Sequence, residues 1–142
     1  MSKNISPNTT IAQYTIVSKI GEGGMGEVYL AEDTKLERQV ALKVLLAEVA
    51  EDEDRVRRFV QEAKAATALN HPNILTVYEI GTSEDLRYIA TELIKGKTLR
   101  DHLKDEPPSL RDTLEVALQV AAALNAAHGA TTKDVVPIKD FK

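Results

Sequence analysis

Between Ile20 and Val28 the chain reads Ile20-Gly21-Glu22-Gly23-Gly24-Met25-Gly26-Glu27-Val28, and four of the seven glycines in 142 residues fall inside this stretch. Glycine within or beside a strand costs roughly 0.5–1 kcal/mol relative to alanine. Stability alone therefore does not explain the cluster. A glycine backbone accepts unusual φ values, and its amides can approach a bound anion closely. The spacing points to a loop over the phosphates of a nucleotide; a flexible turn between two strands is the bland alternative.

The flanks decide between them. Tyr14 to Ile20 reads as a strand, with Ile16, Ser18 and Ile20 expected on one face and Val17 and Lys19 on the other. Glu27 to Glu32 reads as a second strand, and nothing after Gly26 resembles a helix start, which a dinucleotide-binding loop would require. A third strand, Gln39 to Leu46, places Ala41, Lys43 and Leu45 on one face and Val40, Leu42 and Val44 on the other. Lys43 among apolar neighbours is either an edge lysine reaching water or a phosphate ligand, and the preceding loop favours the second. Ala41 leaves room for a flat adenine, with Val28 covering its other side.

The acidic run Glu51-Asp52-Glu53-Asp54 marks a helix start, and Val56, Phe59, Val60 and Ala63 repeat at helical spacing. Glu62 flanks that stripe and is a candidate partner for Lys43; a solvated glutamate is the alternative. Pro72 breaks the chain after this helix, and His71 reads as a structural cap or a packing histidine rather than a base. Strands follow at Ile74 to Gly81 and Arg87 to Ile94. A short helix is expected over about Thr98 to Lys104, and a long one from the N-cap Ser109 to near Gly129.

Composition removes several classes. The apolar fraction of 43% suits a folded domain, the net charge of −4 argues against a nucleic-acid surface, and the absence of cysteine excludes disulfides and thiolate metal sites. Residues 1–13 lack the apolar core of a signal peptide, and Val116 to Ala127 is too short to span a bilayer. A cytoplasmic location is expected.

Gly21-x-Gly23-x-x-Gly26-x-Val28, Val40-Ala41-Leu42-Lys43, Glu62, His71-Pro72-Asn73-Ile74 and Glu92-Leu93-Ile94 stand in the order of a protein kinase. Together with Arg58-Phe59-Val60-Gln61-Glu62-Ala63 and Gly23-Gly24-Met25-Gly26, the chain resembles bacterial serine/threonine kinases from about Tyr14 to His128. The resemblance implies an α+β fold, with a kinase-like N-lobe of five antiparallel strands and one helix, followed by an incomplete helical C-lobe. Residues 1–13 would be a flexible tail, 14–96 the N-lobe with glycine loop and hinge, and 97–142 the start of the C-lobe.

The resemblance also implies roles. Ile20, Gly21, Glu22, Gly23, Gly24, Met25, Gly26 and Val28 would cover ATP, and Ala41 would face its adenine. Lys43 would contact the phosphates and pair with Glu62. Thr91 would guard the back of the pocket, Glu92 and Ile94 would hold the adenine edge, and Thr98 stands where a ribose contact is often found. The family reaction is transfer of the ATP γ-phosphoryl group to a protein serine or threonine, with Mg²⁺.

After His128 the chain departs from the family pattern of His-Arg-Asp, Asn and Asp-Phe-Gly. Either Asp134 lies in a degraded catalytic loop, or Asp140-Phe141 begins Asp-Phe-Gly after a deletion, which would make Asp140 a metal ligand. Transfer by this chain alone is therefore not expected. The alternatives are a nucleotide-binding or interaction module without catalysis, or a remnant of a kinase gene. Leu110, Leu114, Ala117, Leu118, Ala121 and Leu124 form an apolar stripe on the long helix, from which self-association through Ser109 to His128 is expected.

Overall fold

The computed structural model describes residues 5–45 and 50–130. Its strands are β1 (Thr10–Ile11), β2 (Tyr14–Glu22), β3 (Gly26–Asp33), β4 (Arg38–Leu45), β5 (Val77–Ser83) and β6 (Leu86–Glu92). The helices are α1 (Glu53–Thr67), α2 (Leu99–Asp105) and α3 (Leu110–Gly129). All strand pairs are antiparallel, in the order β1-β2-β3-β4-β6-β5. The sheet has six strands where five were expected. The addition is β1, inside the stretch read as a flexible tail: Thr10 and Ile11 pair with Thr15 and Tyr14, and Ile11 is buried.

The alternation expected along β4 is present. Val40, Leu42 and Val44 join Ile11, Tyr14, Ile16, Tyr29, Ala31, Tyr88 and Ala90 in one core. On the other face Leu45 and Ile89 pack with Phe59 and Ala63 of α1. The helix starts as its acidic run suggested, with the Asp52 carboxylate accepting hydrogen bonds from the amides of Asp54 and Arg55.

The face assignment along β2 is corrected. Register shifts fall between Ile16 and Ser18 and between Lys19 and Gly21, which leaves Val17 and Ile20 as extra residues opposite β3. Each extra residue reverses the phase of the strand beyond it. Ile16, opposite Ala31, and Ser18, opposite Leu30, therefore lie on opposite faces, and Lys19 joins the face of Ile16 and Tyr29.

The sheet curls until its two ends meet. Gln13 Nε2 and the Tyr14 hydroxyl donate to Glu79 Oε2 at 2.8 and 2.6 Å, and the Tyr88 hydroxyl donates to Glu79 Oε1 at 3.2 Å. The Tyr14 and Tyr88 rings meet edge to face at 5.6 Å. Gly81 makes room for this clasp, because a Cβ there would lie 2.3 Å from the Tyr88 hydroxyl.

Burial, then the Glu79 charge, pushes the Tyr88 phenol up to about 12, and burial and Glu79 also raise that of Tyr14. An unfolded tyrosine titrates near pH 10. The stability these protonated hydroxyls contribute is thus fully present below about pH 10 and is lost as pH rises toward 12. Thermal melts over about pH 8 to 11.5 should show Tm falling above pH 10, with a shallower fall in Tyr88→Phe.

Candidate functional site

Register assembles the site. Directly paired residues share a face of a sheet, so Gly21, Val28, Lys43 and Ile89 form one row across β2, β3, β4 and β6. Ser18, Leu30, Ala41 and Thr91 form the next row on the same face. Gly21, Val28, Ala41 and Lys43 are half-buried, while Ala31, Val40 and Leu42 on the opposite face are fully buried. The face carrying the candidate residues is thus the open one. Leu30 belongs to it and was missed by sequence reading, although strand alternation from Val28 could have found it; the register places it opposite Ala41.

The glycines divide into two kinds. A Cβ at Gly26 would lie 2.4 Å from the Val44 carbonyl oxygen, so β3 can lie against the end of β4 there only without a side chain. A Cβ at Gly23 or Gly24 would meet nothing within 4 Å, and one at Gly21 only the Val28 Cβ at 3.8 Å. Packing among the described residues therefore accounts for Gly26 but not for Gly23 and Gly24. The loop closes through Gly23 N–H to the Gly26 carbonyl at 2.8 Å and a longer reverse bond at 3.4 Å. Met25 turns inward and packs against the Leu45, Phe59 and Ile89 cluster. Ile20, the extra residue of the second bulge, is half-exposed, and Glu22 is exposed.

Lys43 Nζ lies 5.7 Å from the centre of the Phe59 ring. Glu62 is exposed, and no ion pair within 4 Å joins it to Lys43. The structure therefore does not contain the expected Lys43–Glu62 pair. The apolar stripe explains this: Phe59 and Ala63 take the buried positions of α1, and Glu62 is left at their edge.

Thr91 is buried, with its hydroxyl 3.1 Å from the Glu92 carbonyl oxygen and 3.4 Å from that of Ala41. The Glu92 amide donates to the Thr76 carbonyl at 3.0 Å, and its carboxylate accepts from the Thr76 amide at 2.7 Å. Ile94 is exposed, and its backbone makes no hydrogen bond among the described residues. Thr98 caps α2: its hydroxyl accepts from the Asp101 amide at 3.1 Å and donates to the Asp101 carboxylate at 2.6 Å, so it is committed locally. His71 caps the turn, with Nδ1 accepting from the Asn73 amide at 3.1 Å.

Beyond the hinge, a cavity of about 1550 Å³ lies between the turn carrying Pro72 and Ile74, α2 and α3, with Leu99, Val120 and Leu124 on its wall. It contains none of Gly21 to Gly26, Ala41 or Lys43, but it reaches the hinge, with Glu92, Ile94 and Thr98 on its wall. Asp134 and Asp140 lie outside the described residues. Among the described residues, no three His, Asp or Glu side chains gather to hold a metal.

With sheet, loop and hinge in place, the comparisons identify the chain: it belongs to the protein kinase domain family, which matches residues 14–136. It is 40% identical over 117 residues to the serine/threonine-protein kinase PrkC of Bacillus subtilis, covering 82% of this chain and 18% of that protein. It is 42% identical over 132 residues to the serine/threonine-protein kinase PknB of Mycobacterium leprae, covering 88% and 21%. The crystal structure of the Mycobacterium tuberculosis PknI kinase domain is similar, with a TM-score of 0.74 at 35% identity over 87% of this chain and 51% of that one. The chain spans about a fifth of these curated relatives and about half of that kinase-domain chain.

Packing predicts different outcomes within the loop. Gly26→Ala should lower stability by about 1–3 kcal/mol, the usual cost of forcing atoms into a filled space. Gly24→Ala should leave stability within about 0.5 kcal/mol of the parent. Urea unfolding of both variants measures the difference.

Proposed function

We propose that this chain carries the ATP-binding half of a serine/threonine protein kinase. The observation that supports this most strongly is the pair Gly23 and Gly24, whose missing side chains no contact among the described residues explains, beside the row Gly21, Val28 and Lys43. Their amides would receive the phosphates, as backbone N–H groups do in anion-binding loops. Lys43 would neutralise phosphate charge. Val28, Leu30 and Ala41 would enclose the adenine, with Thr91 behind it and the backbone of Glu92 and Ile94 at its edge. Glu62 would meet Lys43 after a rotation of α1.

The family's reaction passes the γ-phosphoryl group to a protein serine or threonine, and Mg²⁺ supplies charge neutralisation between the phosphates. Asp140 is the proposed metal ligand of this chain. The 142 residues contain no His-Arg-Asp sequence. The chain as given is therefore expected to bind nucleotide without turnover, and ATP supply favours the cytoplasm. No helix among the described residues is long and apolar enough to cross a membrane.

Calorimetric titration with ATP and Mg²⁺ tests the site. Lys43→Met removes a charged contact worth about 1.5–3 kcal/mol, so affinity should fall roughly 10- to 100-fold. An unchanged affinity would refute the assignment.

Self-association through α3 is part of the same reading. Leu110, Leu114 and Leu118 are 77, 54 and 69% exposed, whereas the buried residues of α3 are Ala123 and Ala127. Each leucine fully buried against a second copy would contribute about 1.5–3 kcal/mol. Sedimentation across a concentration series should show a dimer that Leu114→Lys with Leu118→Lys abolishes; a monomer at every concentration excludes the pairing.

A further inference from the structure

We infer that a relay of side chains running from the backbone of Ile5 to Glu22 sets the position of the glycine loop, with Lys19 and Glu27 as its positioning residues. It rests on the reading above that the loop receives nucleotide phosphates.

Glu22 and Glu27 stand directly opposite each other where β2 and β3 open into the loop. Like charges placed so are destabilising. Lys19 Nζ lies between them, 2.7 Å from Glu22 Oε2 and 2.7 Å from Glu27 Oε1. In a regular strand Lys19 and Glu22, three residues apart, would point to opposite faces. The extra residue Ile20 reverses the phase, so that both side chains join the face of Tyr29 and Glu27. The second bulge of β2 thus creates the bridge.

The bridge is anchored from beneath. Glu27 is 7% exposed, and its Oε2 accepts from the Tyr29 hydroxyl at 2.6 Å. Tyr29 is 1% exposed, and its hydroxyl accepts from the Ile5 amide at 3.3 Å. Hydrogen bonds from Lys19 and then Tyr29 hold the Glu27 carboxyl below its ordinary range, so the acceptor keeps its charge. Ile5 itself packs against the core beneath the sheet. It precedes residues 14–136, which match the family. A segment outside the family domain is therefore connected, through four hydrogen bonds, to the strand end that carries Gly23 and Gly24.

The loop has two anchors. Met25 packs into the Leu45, Phe59 and Ile89 cluster at its far side, while Gly23 and Gly26 bond to each other and a Cβ at Gly23 or Gly24 would meet nothing within 4 Å. Its tilt at the β2 side is set where the strands end, and there Lys19 joins the two.

Amide hydrogen exchange on the nucleotide-free chain tests the relay directly. In Lys19→Met, the amides of Gly21 to Val28 should exchange about tenfold faster or more, while those of Leu42 and Ala90 keep their parental rates. Tyr29→Phe keeps the ring in the core and should give a smaller rise at the same amides. Lys19→Arg should restore protection, and adding Glu27→Gln to Lys19→Met should give less than the sum of the two. Affinity for ATP with Mg²⁺ should fall with exchange, by about three- to tenfold in Lys19→Met.

Unchanged loop exchange in both Lys19→Met and Tyr29→Phe, or a rise spread evenly over the sheet, would overturn the proposal. If loop exchange rises as stated but Lys43→Met binds ATP as the parent does, the relay stands and the nucleotide reading fails. If Lys43→Met loses ATP while Lys19→Met changes nothing, the reading stands and the relay fails.

Discussion

Alternation along β4 is the constraint on which the molecule depends. Val40, Leu42 and Val44 enter the main core, so Ala41, Lys43 and Leu45 must face the other way. That single phase places Lys43 opposite Val28 and Ile89, Ala41 opposite Leu30 and Thr91, and Leu45 against α1. A slip of one residue would bury the Lys43 charge among tyrosines and turn three aliphatic residues to solvent. Core and site are thus specified together: whatever keeps the aliphatic residues inside also keeps the amine in the cleft.

Much of this was legible in the sequence because it rests on local chemistry. The β4 pattern is an unbroken alternation, and Asp52 and Ser109 are capping residues followed by helical stripes. Ser109 indeed forms a full capping box with Asp112. The bulges of β2 were not legible, since an extra residue exists only relative to the partner strand. Val17 and Ile20 fit a regular strand as well as Ile16 does. Strand β1 was hidden in a polar segment, because Thr10 and Ile11 gain their structure from Thr15 and Tyr14 rather than from their own pattern. The orientation of Glu62 was not legible either. Helical spacing fixes which residues share a stripe, but a residue at the edge of that stripe faces the sheet or water according to the rotation of the whole helix.

The glycine stretch contains residues with different constraints. Gly26 is required by the close approach of β3 to the β4 backbone at Val44, and Gly23 and Gly24 by nothing within the described residues. In the sequence the three look alike. Only the neighbouring backbone separates a glycine needed for folding from those free to serve a ligand.

The Glu79 clasp has a consequence for how the sheet meets its surroundings. An open sheet ends in two strands whose outer backbone groups can recruit a foreign strand. Here the turn after β1 reaches across to β5, with the Ala12 amide donating to Ser83 Oγ at 3.3 Å and Gln13 bonding Glu79. These contacts cover part of the β5 margin, and β1 is only two residues long. The backbone edge open to a foreign strand is shortened at both ends of the sheet.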